Sequence, residues 1–530
     1  MISAMWKHGW RDSTWSALDQ KWDLVVIGGG ITGAGIFAEA LRLGLETLLI
    51  DARDFASGTS SRSTKLVHGG LRYLRQAQVG VTRESVRERE RLMKEAAGLV
   101  KPLGFYLTTF ERDQMPGWML GAGLAVYDLI AGKWAHKKYS AEDLQREVPA
   151  LAGANLRGGY HYFDAQTDDA RLVLRVIREG VRRGGTAINY VKALDLLRNQ
   201  AGYVNGVVLK DENPDAGGRT LEIDARAVVN ATGTWSDVLR AKVGGTKRLR
   251  PIRGSHLTFE AARIPIPEAI SLMHPRDSRA VFAIPWEGAT IIGTTDVDHN
   301  DALDNEPSTS AAEATYILEA AKHAFPSLEL TEKDIIASWS GVRSVIDTGA
   351  ENPSKESRDH ALWNENGLLT VTGGKLTTFR IMAQDALLAL RHMIPDLSPP
   401  RSRRRIVDAV DAEALAGFKL EPDSVQRLLG RFGVEALEVA NMGELDTIGP
   451  TPTLWAEIAH AANAEGVLHL DDLLLRRGRL GILLPDGGMR ELPRIRALAQ
   501  PRLQWSDERW ESEVVRYRSI WQRHYGTTFA

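Results

Sequence analysis

Three glycines and one acid near the start of the chain have the types and spacing needed to bind a dinucleotide. Gly28, Gly30 and Gly33 follow an apolar strand in G-x-G-x-x-G order, and Asp51 ends the next apolar strand. The first glycine allows a tight turn, the second lets the backbone approach a pyrophosphate, and the third lets the helix pack closely on the strand. The acid accepts hydrogen bonds from ribose hydroxyls. We therefore predict a strand–helix–strand unit with the phosphates at the start of its helix.

A second segment, ASGTSSRSTKLVHGGLRYL, follows this unit and is rich in hydroxyls and glycines. A late segment, GLLTVTGGKLTTFR, reads as a strand, a double glycine and a helix that begins near Lys375. N–H groups at such a helix start can stabilise the negative charge that a reduced flavin carries at its N1–O2 edge. A nicotinamide-linked dehydrogenase has no use for either segment. Together they indicate a flavoenzyme.

Composition excludes several kinds of function. The chain has 530 residues, enough for two or three domains, and its net charge of −2 gives no support for nucleic-acid binding. It contains no cysteine, so disulfides, thiolate zinc sites, iron–sulfur clusters and a cysteine-linked flavin are excluded. Electron transfer must therefore rest on an organic cofactor, and we expect no metal site.

The elements that position these motifs alternate along the chain. Residues 81–97 read as a charged, exposed helix, and residues 169–184 as an amphipathic helix. Its apolar face would carry Leu172, Val173, Val176, Ile177 and Val181. Residues 225–237, 335–346 and 367–390 return the chain to the nucleotide-binding domain, whereas 254–295 are rich in strands. After SPPRSRRR, which reads as a linker, the chain is mostly helical.

Two apolar features leave alternatives open. The N-terminus lacks the apolar core of a secretory signal, and no apolar run reaches the length of a spanning helix. Tryptophans 6, 10, 15 and 22 are either an interfacial anchor or a surface that packs on the protein. Residues 117–132 are either a membrane-facing helix or a buried one. We expect a cytoplasmic protein, peripheral on the inner face of the cell membrane.

Several motifs in a fixed order carry a family resemblance. The segments GTSSRSTKLVHGGLRYL, IPWEGATIIGTTD, SGVRSV and TGGKLTTFR resemble those of the FAD-dependent, respiratory glycerol-3-phosphate dehydrogenases, aerobic-type flavoproteins of the D-amino-acid-oxidase-like superfamily. The resemblance runs from about residue 23 to about residue 380. It continues more weakly through DDLLLRRGRLG at 471–481.

The resemblance implies an α/β fold with three parts. An N-terminal extension, 1–22, precedes a discontinuous FAD-binding, Rossmann-like domain over 23–396. Insertions at about 76–165 and 250–335 would form an antiparallel-sheet substrate domain. A helical C-terminal domain would follow over 405–530.

The resemblance also implies the residues that contact FAD. They are Gly28, Gly30, Ile31, Thr32, Gly33 and Asp51 for the adenosine and pyrophosphate; Thr59, Ser60, Ser61, Lys65, Leu66, Gly70 and Leu71 for the ribityl chain and ring; Ala231 and Gly233 in a second nucleotide loop; and Gly374, Lys375, Leu376 and Thr377 at the pyrimidine end.

The implied reaction oxidises carbon 2 of glycerol 3-phosphate to give dihydroxyacetone phosphate, with hydride passing to flavin N5 and electrons onward to a membrane quinone. Substrate-binding positions are Arg72, Tyr73, Thr295, Arg358 and Lys375, since a phosphate dianion needs several cations. His256 is the candidate base and Arg343 the candidate for oxyanion stabilisation, and the sequence does not rank the two roles.

Rival functions remain open at this point. An oxidase of glycerol 3-phosphate would return electrons to oxygen, and sequence does not separate it from a dehydrogenase. An amino-acid oxidase would need one arginine and an apolar pocket instead of several cations. A flavin-binding module without turnover would lose the cations around the substrate position. Beyond the substrate and the quinone pool, a membrane surface and a second copy of the chain are further candidate partners.

Overall fold

The fold combines two large sheets with a helical C-terminal part. The computed structural model describes residues 5–7, 9–70, 79–111, 117–131, 135–153, 155–351, 356, 359–400 and 405–529. The strands are β1 (Trp22–Ile27), β2 (Thr47–Ile50), β3 (Leu66–Val67), β4 (Val100–Phe110), β5 (Lys137–Tyr139), β6 (Leu156–Thr167), β7 (Thr186–Ile188), β8 (Val191–Arg198), β9 (Val204–Asp211), β10 (Thr220–Asn230), β11 (Leu249–Glu260), β12 (Ala269–Met273), β13 (Ala280–Trp286), β14 (Ala289–Gly293), β15 (Val297–Asp298), β16 (Ile335–Ile346), β17 (His360–Glu365) and β18 (Leu368–Gly373).

The α-helices follow the same chain order. They are α1 (Trp10–Ser16), α2 (Ile31–Arg42), α3 (Val79–Glu95), α4 (Gly117–Ala131), α5 (Ala141–Glu147), α6 (Asp169–Arg182), α7 (Ser236–Ala241), α8 (Ala311–Ala324), α9 (Phe379–Leu390), α10 (Pro422–Phe432), α11 (Ala436–Ala440), α12 (Trp455–Ala464), α13 (Leu480–Leu483), α14 (Leu492–Leu503) and α15 (Asp507–His524).

The first sheet is the nucleotide-binding one. Strands β18, β10, β1, β2 and β7 pair in parallel in that order, and β17 adds an antiparallel edge. Strands β1 and β2 are continuous apolar runs that are buried on both faces, as parallel strands covered by helices must be. Helices α2, α6 and α9 pack together on one face. The predicted α/β fold class is confirmed.

The second sheet has ten strands drawn from two separate stretches of the chain. Strands β3 to β6 come from the first stretch and β11 to β16 from the second, and β4 joins them by pairing in parallel with β12. The other pairings are antiparallel. Strands β11 and β16 pair along eleven positions, and both lead to the cavity described below. The domain boundaries themselves stay predictions.

Helix α6 differs from the sequence-based expectation. Its predicted apolar face is buried, but the arginine-rich opposite face is buried too. Arg171 pairs with Glu465, and Arg178 pairs with Glu435, at 2.6 Å for the latter. The charged face therefore packs against the C-terminal part instead of facing water. A single sequence pattern cannot distinguish a solvated charged face from an ion-paired interface.

Helix α3 corrects a second expectation. It is highly charged, yet one face is buried and holds Val86, Glu88 and Arg89. The Arg89 guanidinium donates to Tyr127 Oη at 2.7 Å and to Asp164 Oδ1 at 2.6 Å. Its charges are thus partly internal ion pairs, and the helix is only half exposed.

The two apolar features are resolved differently. Trp6, Trp15 and Trp22 are buried, and Trp6 stacks on Phe55 with ring centroids 5.3 Å apart. These tryptophans pack on the protein. Helix α4 has one buried side and one exposed apolar side. No helix in the described ranges combines the length and apolar character required to cross a bilayer.

Candidate active site

A cavity of about 970 Å³ opens where the parallel strands of the first sheet end. Ligands of open α/β sheets bind at this edge, outside the carboxyl ends of the strands. The predicted site residues that line the cavity are Gly28, Gly30, Ile31, Thr32, Asp51, Thr59, Ser60, Ala231, Gly233, Arg343, Gly374, Lys375 and Leu376. The structure thus brings together the glycine motif, the hydroxyl-rich turn, the second nucleotide loop and the late double glycine.

The turn into helix α2 has no space for side chains. A Cβ on Gly28, whose φ is +112°, would lie 2.5 Å from Ala231 O, and one on Gly33 would lie 1.8 Å from Gly28 O. Gly33 lies behind the cavity and holds the helix against the strand. The Ile31 N–H donates to Ser60 Oγ at 3.0 Å. The other N–H groups of the first turn lack intrahelical acceptors and carry the positive end of the helix dipole.

Asp51 lies at the end of β2, half-buried at the cavity wall. Its carboxylate accepts hydrogen bonds from the Gly29 N–H at 2.7 Å and the Arg53 N–H at 2.8 Å. Burial nevertheless raises the pKa of Asp51 to about 6, because desolvation outweighs the two hydrogen bonds. The carboxylate is ionised at neutral pH and available to ribose hydroxyls.

Part of the cavity wall comes from residues that the sequence did not indicate. Segment 302–304, which follows β15, covers one side of the opening. Its Asp304 carbonyl oxygen accepts from Arg53 Nη2 at 2.7 Å, and its carboxylate accepts from Trp235 Nε1 at 3.0 Å. Lys192 and Lys242 also line the cavity. No motif marks these positions, because their contact depends on how two distant stretches fold together.

Arg343 reaches the cavity from strand β16. Its guanidinium is ion-paired with Asp296, which also pairs with Arg279 at 2.9 Å, and donates to Thr294 Oγ1 at 3.2 Å. One quarter of the side chain is exposed. Thr295 is buried, and its hydroxyl donates to Glu313 Oε1 at 2.7 Å while accepting from the Ser255 N–H. The threonine hydroxyl is therefore engaged within the protein.

His256 does not line the cavity. It lies on the same sheet face as Arg343, because Arg343 pairs with Ile252, and His256 follows Ile252 by four residues on β11. It is 1 % exposed and stacks on Trp339 with ring centroids 4.8 Å apart. Its Nε2 is 3.0 Å from Thr64 Oγ1, and its Nδ1 has no hydrogen-bond partner among the described residues. Burial, with the nearby cations of Arg343 and Lys65, holds the pKa of His256 well below its usual range. The imidazole is neutral at physiological pH.

Lys65 does not line the cavity. Its ammonium is fully buried and donates to Ser61 O at 2.7 Å and to Asp169 Oδ2 at 2.9 Å. It also lies 5.2 Å from the centroid of the Trp339 ring. Burial and the adjacent Arg479 guanidinium lower the pKa of Lys65 to about 7.

The remaining predicted residues lie behind the wall or outside the described residues. Ser61, Leu66, Gly70 and Thr377 are buried, and the Thr377 hydroxyl donates to His68 O at 3.4 Å. Lys375 at the wall donates to Ser85 Oγ at 3.3 Å. Leu71, Arg72, Tyr73 and Arg358 lie outside the described residues.

Two family models match the chain. One, described as FAD dependent oxidoreductase, matches residues 23–380. The other, described as the C-terminal domain of alpha-glycerophosphate oxidase, matches residues 403–510. A relative from Staphylococcus aureus, named aerobic glycerol-3-phosphate dehydrogenase, is 33% identical over 487 residues, which cover 87% of each chain.

Solved structures show the same likeness. The glycerol-3-phosphate dehydrogenase from Bacillus halodurans complexed with FAD superposes with a TM-score of 0.79 and 29% identity, covering 98% of each chain. The dithionite-reduced L-alpha-glycerophosphate oxidase from Mycoplasma pneumoniae, with FAD bound, gives a TM-score of 0.56 at 13% identity. It covers 74% of this chain and 99% of its own, and it supports the fold alone.

Proposed function

Because the chain belongs to the FAD-dependent oxidoreductase family, and within it to the aerobic glycerol-3-phosphate dehydrogenases, we propose that it oxidises sn-glycerol 3-phosphate to dihydroxyacetone phosphate. The observation that carries the proposal is the cavity in which the glycine motif, the hydroxyl-rich turn and the Gly374–Lys375 segment meet a strand that bears Arg343. The cofactor is FAD.

The cavity residues fit FAD. Glycine replaces any side chain where the backbone must approach a pyrophosphate, and Asp51 has a carboxylate for the ribose. When bound, FAD supplies the two-electron acceptor, taking hydride at N5. The protein's part is to bind and orient the alcohol, to receive its hydroxyl proton, and to exclude water.

The substrate's phosphate would be bound by cations that converge on one end of the cavity. Lys375 lies at the wall, and we assign Arg72 and Arg358 to the same task from their motifs. A dianion among guanidinium groups gains charge-assisted, paired hydrogen bonds. Lactate and D-alanine lack this second charge, so the proposed site favours a phosphorylated polyol.

His256 would receive the hydroxyl proton, and Arg343 would stabilise the developing oxyanion. The imidazole is neutral and its Nδ1 has no hydrogen-bond partner within the part of the chain that the structure describes, so it can accept a proton. The proton affinity of His256 is low while the described charged groups nearest to it are the cations Arg343 and Lys65. A bound phosphate dianion would raise that affinity by opposing the charge of Arg343. Tyr73 would complete the substrate end.

Anaerobic mixing tests the function directly. The purified protein is mixed with glycerol 3-phosphate, glycerol, lactate or D-alanine, and the flavin band near about 450 nm is followed. Only glycerol 3-phosphate should bleach the band rapidly. A protein that binds FAD but bleaches with no phosphorylated polyol would instead be a flavin-binding module, and bleaching by D-alanine alone would make it an amino-acid oxidase.

We assign a membrane quinone as the electron acceptor, because the relative at 33% identity is named an aerobic dehydrogenase. The rival acceptor is oxygen, because the C-terminal residues match the domain model of an oxidase. Stopped-flow reoxidation separates them. The reduced enzyme should react faster with a soluble quinone than with air-saturated buffer, and the reverse order would make the protein an oxidase.

Helix α4 offers the surface for contact with the inner face of the cell membrane. Met119, Val126 and Leu129 share one side of the helix and are 47%, 46% and 79% exposed. Lys137 and Lys138 follow and are exposed, which suits anionic headgroups. We propose that the protein is cytoplasmic and binds the membrane peripherally through this surface.

Vesicles containing phosphatidylglycerol test this surface. Leu129→Glu should weaken vesicle binding about tenfold or more, because burial of a leucine in lipid contributes about 1.5–3 kcal/mol. Val515→Glu is the control, since Val515 is 67% exposed on α15. Equal binding by the two variants would show that another surface makes the membrane contact.

Sedimentation of the same protein tests the predicted homodimer.

A further inference from the structure

The 3₁₀ turn Thr59–Ser61 is attached to the C-terminal domain. Thr59 and Ser60 line the cofactor cavity, and the Thr59 hydroxyl donates to Val342 O. On the opposite side of the turn, the Ser61 carbonyl oxygen accepts from Arg479 Nη2 at 2.8 Å. One turn therefore contacts the cofactor space on one side and the C-terminal domain on the other.

Arg479 is placed for this contact at a cost. It is 2 % exposed and has a φ of +62°, a backbone conformation that is unfavourable for a residue with a side chain. Its guanidinium also donates to Leu475 O at 2.8 Å and to Asp169 Oδ1 at 3.1 Å. A lysine could not reach three acceptors in this fork, whereas a planar guanidinium can.

The charged groups around the turn form one buried cluster to which the C-terminal domain contributes Arg479. The Ser61 carbonyl accepts from Lys65 as well as Arg479, and Asp169 binds both cations. The Asp169 carboxylate also accepts from the N–H and hydroxyl of Ser63. All three titratable groups are almost fully buried. Loss of Arg479 therefore leaves Lys65 as the remaining described cation that binds the Ser61 carbonyl oxygen and the Asp169 carboxylate.

We propose that Arg479 is a positioning residue for the cofactor: by holding the Ser61 carbonyl, it fixes the turn that presents Thr59 and Ser60 to FAD, so that the C-terminal domain controls how long the cofactor stays bound. This role does not depend on which alcohol is oxidised. It rests on FAD binding in the cavity, and failure of that premise would appear separately as wild-type protein that purifies without flavin.

The test compares FAD release from holoenzyme variants, followed by the rise in fluorescence of free FAD. Arg479→Met removes the fork and the charge, and Arg479→Lys keeps the charge. Arg427→Met is the matched control. Arg427 is a buried arginine of the same domain whose guanidinium pairs with Glu287 and Glu457 and not with the turn.

Arg479→Met should release FAD about tenfold faster than wild type or more, and Arg479→Lys at an intermediate rate, whereas Arg427→Met should stay within about twofold. If Arg479→Met does not fold, Arg479→Lys carries the comparison and should still exceed the control by about threefold. Release at the same rate from the Arg479 and Arg427 variants would overturn the proposal.

A double-mutant cycle with Ser60→Ala separates positioning from general destabilisation. Ser60 caps α2 through the Ile31 N–H, so its removal should speed FAD release in the wild-type background. If Arg479 acts through this turn, Ser60→Ala should add less than about twofold in the Arg479→Met background, because two substitutions that act on one turn are not additive. Fully multiplied effects of the two substitutions would contradict the proposed route.

Discussion

Two ionisable side chains at the site have displaced pKa values, in opposite senses and for related reasons. Burial raises the pKa of Asp51 to about 6, and burial together with nearby cations lowers the pKa of His256. Both shifts favour the neutral form, since desolvation penalises charge of either sign. Because the pKa values of both groups stay below 7, Asp51 is ionised and His256 neutral near pH 7, and these are the forms that their proposed roles in ribose binding and proton acceptance require.

FAD affinity of the apoprotein should fall as the solution is acidified through pH 6. Below that value Asp51 becomes protonated and loses acceptor capacity for the ribose, so we expect about tenfold weaker binding at pH 5 than at pH 7. Asp51→Asn should bind about tenfold more weakly at pH 7 and show a flat profile. Quenching of FAD fluorescence measures both.

Asp301→Asn is the control for this series, because Asp301 is an exposed acid that pairs with Arg253. It should reproduce the wild-type profile. A pH dependence that survives in Asp51→Asn would show that another group controls binding.

His256→Asn should retain FAD and lose flavin reduction by about 10²–10⁴-fold in a single turnover, if the imidazole is the base. Because its pKa in the free protein lies well below the usual value, the wild-type reduction rate at low substrate concentration should show no loss attributable to this group between pH 8 and 6. His299→Asn, a change at another buried histidine, should reduce at the wild-type rate. Full single-turnover reduction by His256→Asn would remove it from this role.

At the scale of elements, the start of helix α2 depends on how closely it meets β1. A Cβ atom on Gly33 would overlap the Gly28 carbonyl oxygen, which occupies that space. The helix therefore cannot keep its position if that atom is added, and the N–H groups proposed to bind the phosphates would move with it.

Gly33→Ala should lower the free energy of unfolding by about 1–3 kcal/mol or more through overpacking, and the purified protein should lose FAD. Gly123→Ala is the contrasting variant. Gly123 lies inside α4 with no atom of the described residues within 4 Å of its Cβ position, so alanine should stabilise by up to about 1 kcal/mol. Thermal denaturation and flavin content report both. Retention of FAD by Gly33→Ala would show that the helix can shift without loss of the site.

Sequence patterns predicted the helices and strands better than the tertiary contacts that these elements make. The apolar runs of β1 and β2 and the glycine spacing are local signals, and they placed the nucleotide-binding unit correctly. The arginine-rich face of α6 is equally regular, but its partners Glu465 and Glu435 lie far along the chain. Likewise, no local signal brings Asp304 to Trp235. Such pairings are set by tertiary packing, which a single sequence does not display.

At the scale of the whole molecule, the C-terminal domain is joined to the rest through buried ion pairs. Arg477 binds Asp54 at 2.6 Å, and Arg431 binds Asp168 at 3.0 Å. Buried pairs of this kind contribute little over an apolar contact, but breaking one is costly because it leaves a charge without a partner. The interface is therefore specific, and sensitive to single substitutions.

Asp168→Asn should lower the free energy of unfolding by about 2 kcal/mol at pH 7, measured with urea. The arginines around it lower the pKa of Asp168 to about 2, so its stabilisation is present above about pH 4 and is lost as pH falls through 2. Asparagine retains the cap that Asp168 provides to α6.

The difference between Asp168→Asn and wild type should thus shrink between pH 4 and pH 2. Asp19→Asn, at an exposed position, should leave the free energy of unfolding unchanged. If the loss of unfolding free energy in Asp168→Asn stays constant on acidification, the interface requires the shape of the side chain and not its charge.

Every described wall of the cofactor cavity is made by residues up to Leu376, whereas Arg479 and the rest of the C-terminal domain come later. During synthesis, Arg479 is therefore made after every described residue of the wall, so the contact that holds the Thr59–Ser61 turn from the C-terminal side is added later than the wall itself.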